Sequence, residues 1–234
     1  MSLLSIVQNV AAAINTTIPV SIIGSSNAGA RQWLALANRA GKEVARRHDW
    51  TVLCTEGSFV STATVEQSDA LDDLEDFDHF VPDVVLWNQT ESVPLVGPVP
   101  SNEWQTLINS GISGGTAGWW RRAGSGNIEI TPEPTAGQTF VFEYVTNVWC
   151  NNAISNVDQA EWVTDADEAR ISEELIELHL TWRWLRAHGM DYAEELSTYE
   201  REVEKAAARD RGLRVLTLER RSGDRYSWPG TITP

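Results

Sequence analysis

No lysine or arginine occurs between Thr51 and Trp120, a stretch that holds eleven acidic residues, among them Asp72, Asp73, Glu75, Asp76 and Asp78. The whole chain carries a formal charge of −15. Affinity for nucleic-acid phosphates comes mainly from Lys and Arg, so this balance argues against a simple nucleic-acid binder. Cysteine is almost missing. Cys54 and Cys150 are the only two in 234 residues, which makes no disulfide framework. They flank the central segment and could be neighbours, yet two buried thiols in a reducing cytoplasm are expected. Long apolar runs are missing too, and no segment offers the roughly 18 apolar residues of a membrane span. The opening MSLLSIVQNVAAAI lacks the basic start of a signal peptide and reads as an amphipathic helix. The histidines His48, His79, His179 and His188 are scattered, none with a second His or Cys at ligand spacing, so no metal site is expected. His179 is expected to pack within a helix pair.

Tryptophan, by contrast, is plentiful, with 11 residues. The most organised stretch is Ile171–Arg211. Ile171, Leu175, Leu178, Trp182 and Leu185 recur with 4-3-4-3 spacing, and Tyr192, Leu196, Tyr199, Val203 and Ala206 repeat it. That is the period of an apolar helix face, so two helices folded back on each other are predicted. His188-Gly189 supplies the stop, and Asp191 with Glu194 a capping box for the second helix. Ile176, Leu180 and Trp184 form a second apolar row on the first helix. A helix apolar on two sides needs more than one partner, either the N-terminal helices or another chain.

Taken in order, the spacing predicts helices over Ser2–Ile14 and Ala28–His48. The period then changes. Strands are predicted over Thr51–Thr64, Val84–Trp87 and Val93–Val96, with the acidic loop Glu66–Asp78 between the first two. A short helix follows over Asn102–Asn109, capped by Ser101. Trp119–Ala123 and Asn127–Ile130 form a hairpin, and Thr139–Val145 a strand with Phe140, Phe142 and Tyr144 on one face. Thr164 before Asp167 reads as a cap leading into the final helices. The expected fold is α+β: a four-helix bundle, residues 1–50 and 160–212, interrupted by a β-rich insert, 51–159. An extended C-terminal arm, 213–234, carries Arg214, Arg220, Arg221, Arg225, Tyr226 and Trp228. Trp, Tyr and Arg dominate interface energetics, which makes those six residues a candidate interface.

Motifs for chemistry are weak. Gly111-Ile-Ser113-Gly-Gly115 matches G-x-S-x-G, but a helix precedes it and a strand follows, the reverse of a nucleophile elbow. The same glycine-rich stretch lacks the GK[ST] ending of a phosphate loop. Asp72, Asp73, Glu75 and Asp76 sit in a run, which favours a solvated surface over the split carboxylate pair of a glycosidase. No catalytic residue, cofactor or metal is assigned.

Four blocks carry a resemblance: LALANRAGKEVARRHDW (Leu34–Trp50), PLVGPVPSNEW (Pro94–Trp104), FEYV (Phe142–Val145) and LTWRWLRAHGMDYAEEL (Leu180–Leu196). In this order they resemble head–tail adaptor proteins of short-tailed phages (podoviruses), the tail tubular protein A or tail accessory factor type. The resemblance implies a structural virion protein and no enzyme. It implies a ring, of twelve copies, between the portal and a tail nozzle of the tail tubular protein B type. Tail fibres are a further candidate partner. The genome would pass through the ring without specific binding, and the acidic run Asp72, Asp73, Glu75, Asp76 and Asp78 would serve as a channel or surface that DNA does not stick to. The arm would reach the portal or a neighbouring subunit. Localisation would be the neck of the virion, after assembly in the host cytoplasm. A cell-wall glycosidase and a monomeric tail-assembly chaperone are the alternatives.

Overall fold

The computed structural model describes residues 1–68, 70–72, 74–110, 118–124 and 127–210. Helix α1 (Leu3–Ala13) starts on Ser2, whose hydroxyl accepts the Ser5 amide at 3.3 Å, and buries Leu3, Ile6, Val7 and Val10. Helix α2 (Ala28–Arg47) is capped by Asn27, whose Oδ1 accepts the Gly29 amide at 2.8 Å; Arg46 and Arg47 complement the dipole at its end. A turn of 3-10 helix (Thr51–Leu53) leads into β1 (Cys54–Val60), followed by β2 (Glu66–Gln67), β3 (Phe77–Phe80), β4 (Trp87–Asn88) and β5 (Val93–Pro94). Helix α3 (Ser101–Ser110) comes next, then β6 (Trp119–Arg122), β7 (Ile128–Thr131) and β8 (Thr139–Thr146). Three two-residue strands, β9 (Cys150–Asn151), β10 (Asp158–Gln159) and β11 (Glu168–Ala169), precede α4 (Glu173–Ala187) and α5 (Ala193–Asp210).

The expectation of a four-helix bundle interrupted by a β-rich insert is corrected. Among the described residues there are five helices and three antiparallel sheets, so the α+β class stands while the architecture differs. Three observations account for this. Helix α3, the short helix expected within the strand-rich stretch, is a fifth helix and buries Trp104 completely. The sheet β10-β9-β11 is built into the helical core, where Trp149, Cys150 and Trp162 pack with the residues of α1, α2, α4 and α5. Finally, α4 is a hub, packing against α1, α2 and α5, with Ile176 and Leu180 fully buried and Trp182 and Trp184 nearly so. The two apolar rows of α4 are thus covered within the chain by the N-terminal helices and α5.

The joint between α2 and the small sheet is tight. Gly41 faces the Trp149 indole, and a Cβ there would lie 2.2 Å from the ring, so only glycine fits. The Trp162 amide donates to Asn38 Oδ1 at 2.9 Å on the same helix. At the other end of α4, Gly189 takes φ 68° after His188 and lets the chain reverse, as its sequence position suggested.

The central strand β8 pairs with β1 along its length and with β3 and β4 on its other edge. Phe140, Phe142 and Tyr144 point to one face, as expected. There they meet Phe59, Phe80 and Trp120 in an aromatic core, with Phe59 stacked on Phe140 at 5.4 Å and Phe80 edge-on to Phe142 at 5.2 Å. Val145, on the opposite face of β8, belongs to the helical core.

Cys54 and Cys150 both remain thiols, and Cys54 is only half-buried rather than buried. Cys150 donates to the carbonyls of Gln159 at 3.1 Å and Glu161 at 3.3 Å, and burial pushes its pKa up to about 12. Thiolate is the reactive form. Cys150 is therefore expected to react with a disulfide reagent about a thousandfold more slowly than an exposed thiol in native buffer. Time-resolved labelling with and without denaturant checks this.

Candidate interface surfaces

The acidic loop before β3 is tied to the aromatic core by its apolar members, Leu71, Leu74 and Phe77. Its acids then divide. Asp72, Glu75 and Asp78 are exposed, Asp78 while contacting His79 Nδ1 at 2.7 Å, whereas Asp76 is half-buried and accepts the Tyr144 hydroxyl at 2.7 Å. Asp73 lies outside the described residues. The other nitrogen of His79 meets Asp49, just beyond α2, at 3.0 Å. Burial alone would lower the His79 pKa, but the hydrogen bonds and charges of Asp78 and Asp49 outweigh it and raise the value. His79 is thus a link between the sheet and the end of α2, which its isolated position in the sequence did not reveal.

A second polar cluster fastens α2 to α4. Glu43 accepts from Arg39 at 2.7 Å, from His179 at 2.9 Å and from Arg183. Burial opposes ionisation of Glu43, yet the two arginines hold its pKa down to about 2. Burial holds His179 down to about 4, so near neutrality it is an uncharged donor to Glu43. Its ring also packs edge-on against Trp182 and Tyr199, both at 4.9 Å, which agrees with its expected place in the helix pair and adds the contact to α2. These groups are consumed in packing. Among the described residues no three His, Cys, Asp or Glu side chains gather as a metal site.

The outward face of the five-stranded sheet is different in kind. Glu56 and Glu143 lie directly opposite each other on β1 and β8, both exposed. One row further along, Ser58, Val141, Trp87 and Pro94 align across four strands. Glu56, Val85, Trp87, Val141, Phe142 and Glu143 line a groove of about 480 Å³. Like charges directly opposed across strands are unfavourable, and among the described residues no cation forms an ion pair with either glutamate.

Helix α5 ends at Asp210, whose carboxylate accepts the Thr51 amide at 2.9 Å and its hydroxyl at 2.7 Å, close to the start of β1. Arg214, Arg220, Arg221, Arg225, Tyr226 and Trp228 follow this point and lie outside the described residues. So does Ser113 with its glycines, between α3 and β6.

The SU10 adaptor protein family matches residues 1–234, so the chain belongs to that family and is a phage adaptor of structural class. No curated protein matches the sequence.

Proposed function

We propose that the chain is a head-to-tail adaptor that forms a ring, of twelve copies, between the portal and the tail nozzle, with the genome passing through the centre. The observation that carries this reading is the match of the SU10 adaptor protein family along the entire chain. The charge supports it: a subunit at −15 does not hold DNA that must slide past, and the acidic run Asp72, Asp73, Glu75, Asp76 and Asp78, of which Asp72, Glu75 and Asp78 are exposed, is proposed to face that path. In a ring the same two surfaces meet at every subunit boundary, related by rotation. The arm at 213–234 reaches the portal or a neighbouring subunit, and the protein resides in the neck of the virion, with tail fibres as a further partner.

Electron microscopy of the purified chain mixed with its portal tests the ring, and a field of monomers that never dock would refute it. Removing residues 213–234 is expected to weaken portal attachment by about tenfold or more while leaving the helical signal intact. Equal docking by the shortened chain, measured by co-sedimentation, would rule out a portal-binding role for the arm. Mass spectrometry of purified virions separates a virion component from an assembly chaperone.

A further inference from the structure

The groove on the outward sheet face has an apolar floor and an acidic wall. Val141, Trp87 and Val85 supply the floor, and Glu56 with Glu143 the wall. On the same face of β1 as Glu56, beyond Ser58, Val60 is 65% exposed at the far end of the strand. Nothing basic lies near it in sequence, since the strands β1 to β5 fall in the stretch without lysine or arginine. An occupant that suits it carries guanidinium groups, which fork onto carboxylates, and aromatic rings to lie on valine and indole.

The chain contains one such segment. Residues 213–234 hold Arg214, Arg220, Arg221 and Arg225 with Tyr226 and Trp228. Resting on the ring reading above, we propose that this groove is the seat for residues 213–234 of a neighbouring copy. Arg220, Arg221 and Arg225 neutralise the Glu56–Glu143 pair, and Tyr226 or Trp228 covers Trp87 and Val141. A groove and an arm on the same chain are complementary without being identical. On the ring reading their pairing runs head-to-tail from copy to copy, the contact class that closes into rings. Reach is no obstacle: the arm departs beside Thr51, and the 24 residues after Asp210 span up to roughly 80 Å when extended. Docking also removes the repulsion that the directly opposed glutamates otherwise impose on β1 and β8.

The test uses the full chain with p-benzoylphenylalanine in place of Val60. Chains of natural isotope content are mixed with ¹⁵N-labelled chains, irradiated, and the joined peptides read by mass spectrometry. Cross-links from position 60 into 213–234 are expected, in isotopically mixed pairs. Combining Glu56→Gln with Glu143→Gln is expected to reduce their yield about tenfold or more. That double variant should melt no lower than the parent, because it relieves a like-charge contact, so the loss would not reflect unfolding. Arg220→Ala with Arg221→Ala should reproduce it from the other side. Cross-links confined to one chain, directed elsewhere, or indifferent to the glutamate changes would each overturn the proposal. Light scattering on the same samples separates the two readings. Assembly that persists without arm cross-links removes the groove assignment alone, whereas monomers at every concentration remove the ring and the groove together.

Discussion

Replacing Trp182 by alanine is expected to destabilise the isolated chain by about 3–5 kcal/mol, the range for large aromatic deletions in a packed core. Trp182 is 6% exposed on the hub helix α4. The Arg183 guanidinium lies over its ring at 4.3 Å, the His179 ring meets it at 4.9 Å, and Tyr192 and Tyr199 approach at 6.2 and 6.4 Å. Burying an indole removes on the order of 150–250 Å² from water, about 4–6 kcal/mol at 25 cal/mol per Å². That figure agrees with the mutational range. The ring also organises polar neighbours: without it, His179 and Arg183 lose a wall against which they reach Glu43. Trp182→Phe is the control. The indole N–H is buried with no hydrogen-bond partner among the described residues, so phenylalanine keeps much of the packing and discards an unpaired donor. It should cost less than half of the alanine change. Thermal melts resolve the difference, since each kcal/mol moves the midpoint by about 2–4 °C in a chain of this size. A shift of only a degree or two for Trp182→Ala would show that this side chain does not support the hub.

Long periodic elements were the most legible in the sequence, whereas β2 and the first half of β3 lie in the stretch expected to be an acidic loop. Helix α4 announced its burial through two apolar rows, and Ile176, Leu180 and Trp184 of the second row are covered as that pattern required. Alternation of Phe140, Phe142 and Tyr144 likewise gave the inward face of β8. Two-residue strands have no period to read, so β9, β10 and β11 passed for loop, and with them went the sheet that joins the helical core. The spacing of Thr164 and Asp167 suggested a helix cap, yet the pair closes a turn between β10 and β11. Partners far apart in the chain were invisible. Glu43 and His179 are 136 positions apart, and Glu56 meets Glu143 only through strand register. Charge counting flagged the acidic run but gave no way to see that Tyr144 claims Asp76, or that His79 claims Asp78, which stays exposed with Asp72 and Glu75.

Asp167→Ala is expected to be as damaging as the loss of Trp182, about 3–5 kcal/mol, because it strips a buried charge from a set of donors that then have no acceptor. The Asp167 side chain is inaccessible and accepts the amides of Val163 at 2.7 Å, Thr164 at 2.8 Å and Ala153 at 3.2 Å. It also accepts Gln159 Nε2 at 2.6 Å and the Thr164 hydroxyl. Its own carbonyl accepts the Leu3 amide at 2.9 Å, so the carboxylate positions both the small sheet and the start of α1. Burial alone would raise its pKa; the side-chain and backbone hydrogen bonds of Thr164, with those of Val163 and Ala153, pull it below the ordinary aspartate value of 3.8. With the folded pKa depressed, the stabilisation is complete above the unfolded pKa and lost as the pH falls through the folded one. Glu43, held at about 2, contributes in the same acidic direction. Urea midpoints measured from pH 7 downward should therefore decline more steeply for the parent chain than for Asp167→Asn, which starts lower and has one fewer carboxylate to protonate. Parallel curves for the two proteins would mean that the ionised form of Asp167 is not what these donors stabilise, and an alanine variant within about 1 kcal/mol of the parent would mean that the turn finds other acceptors.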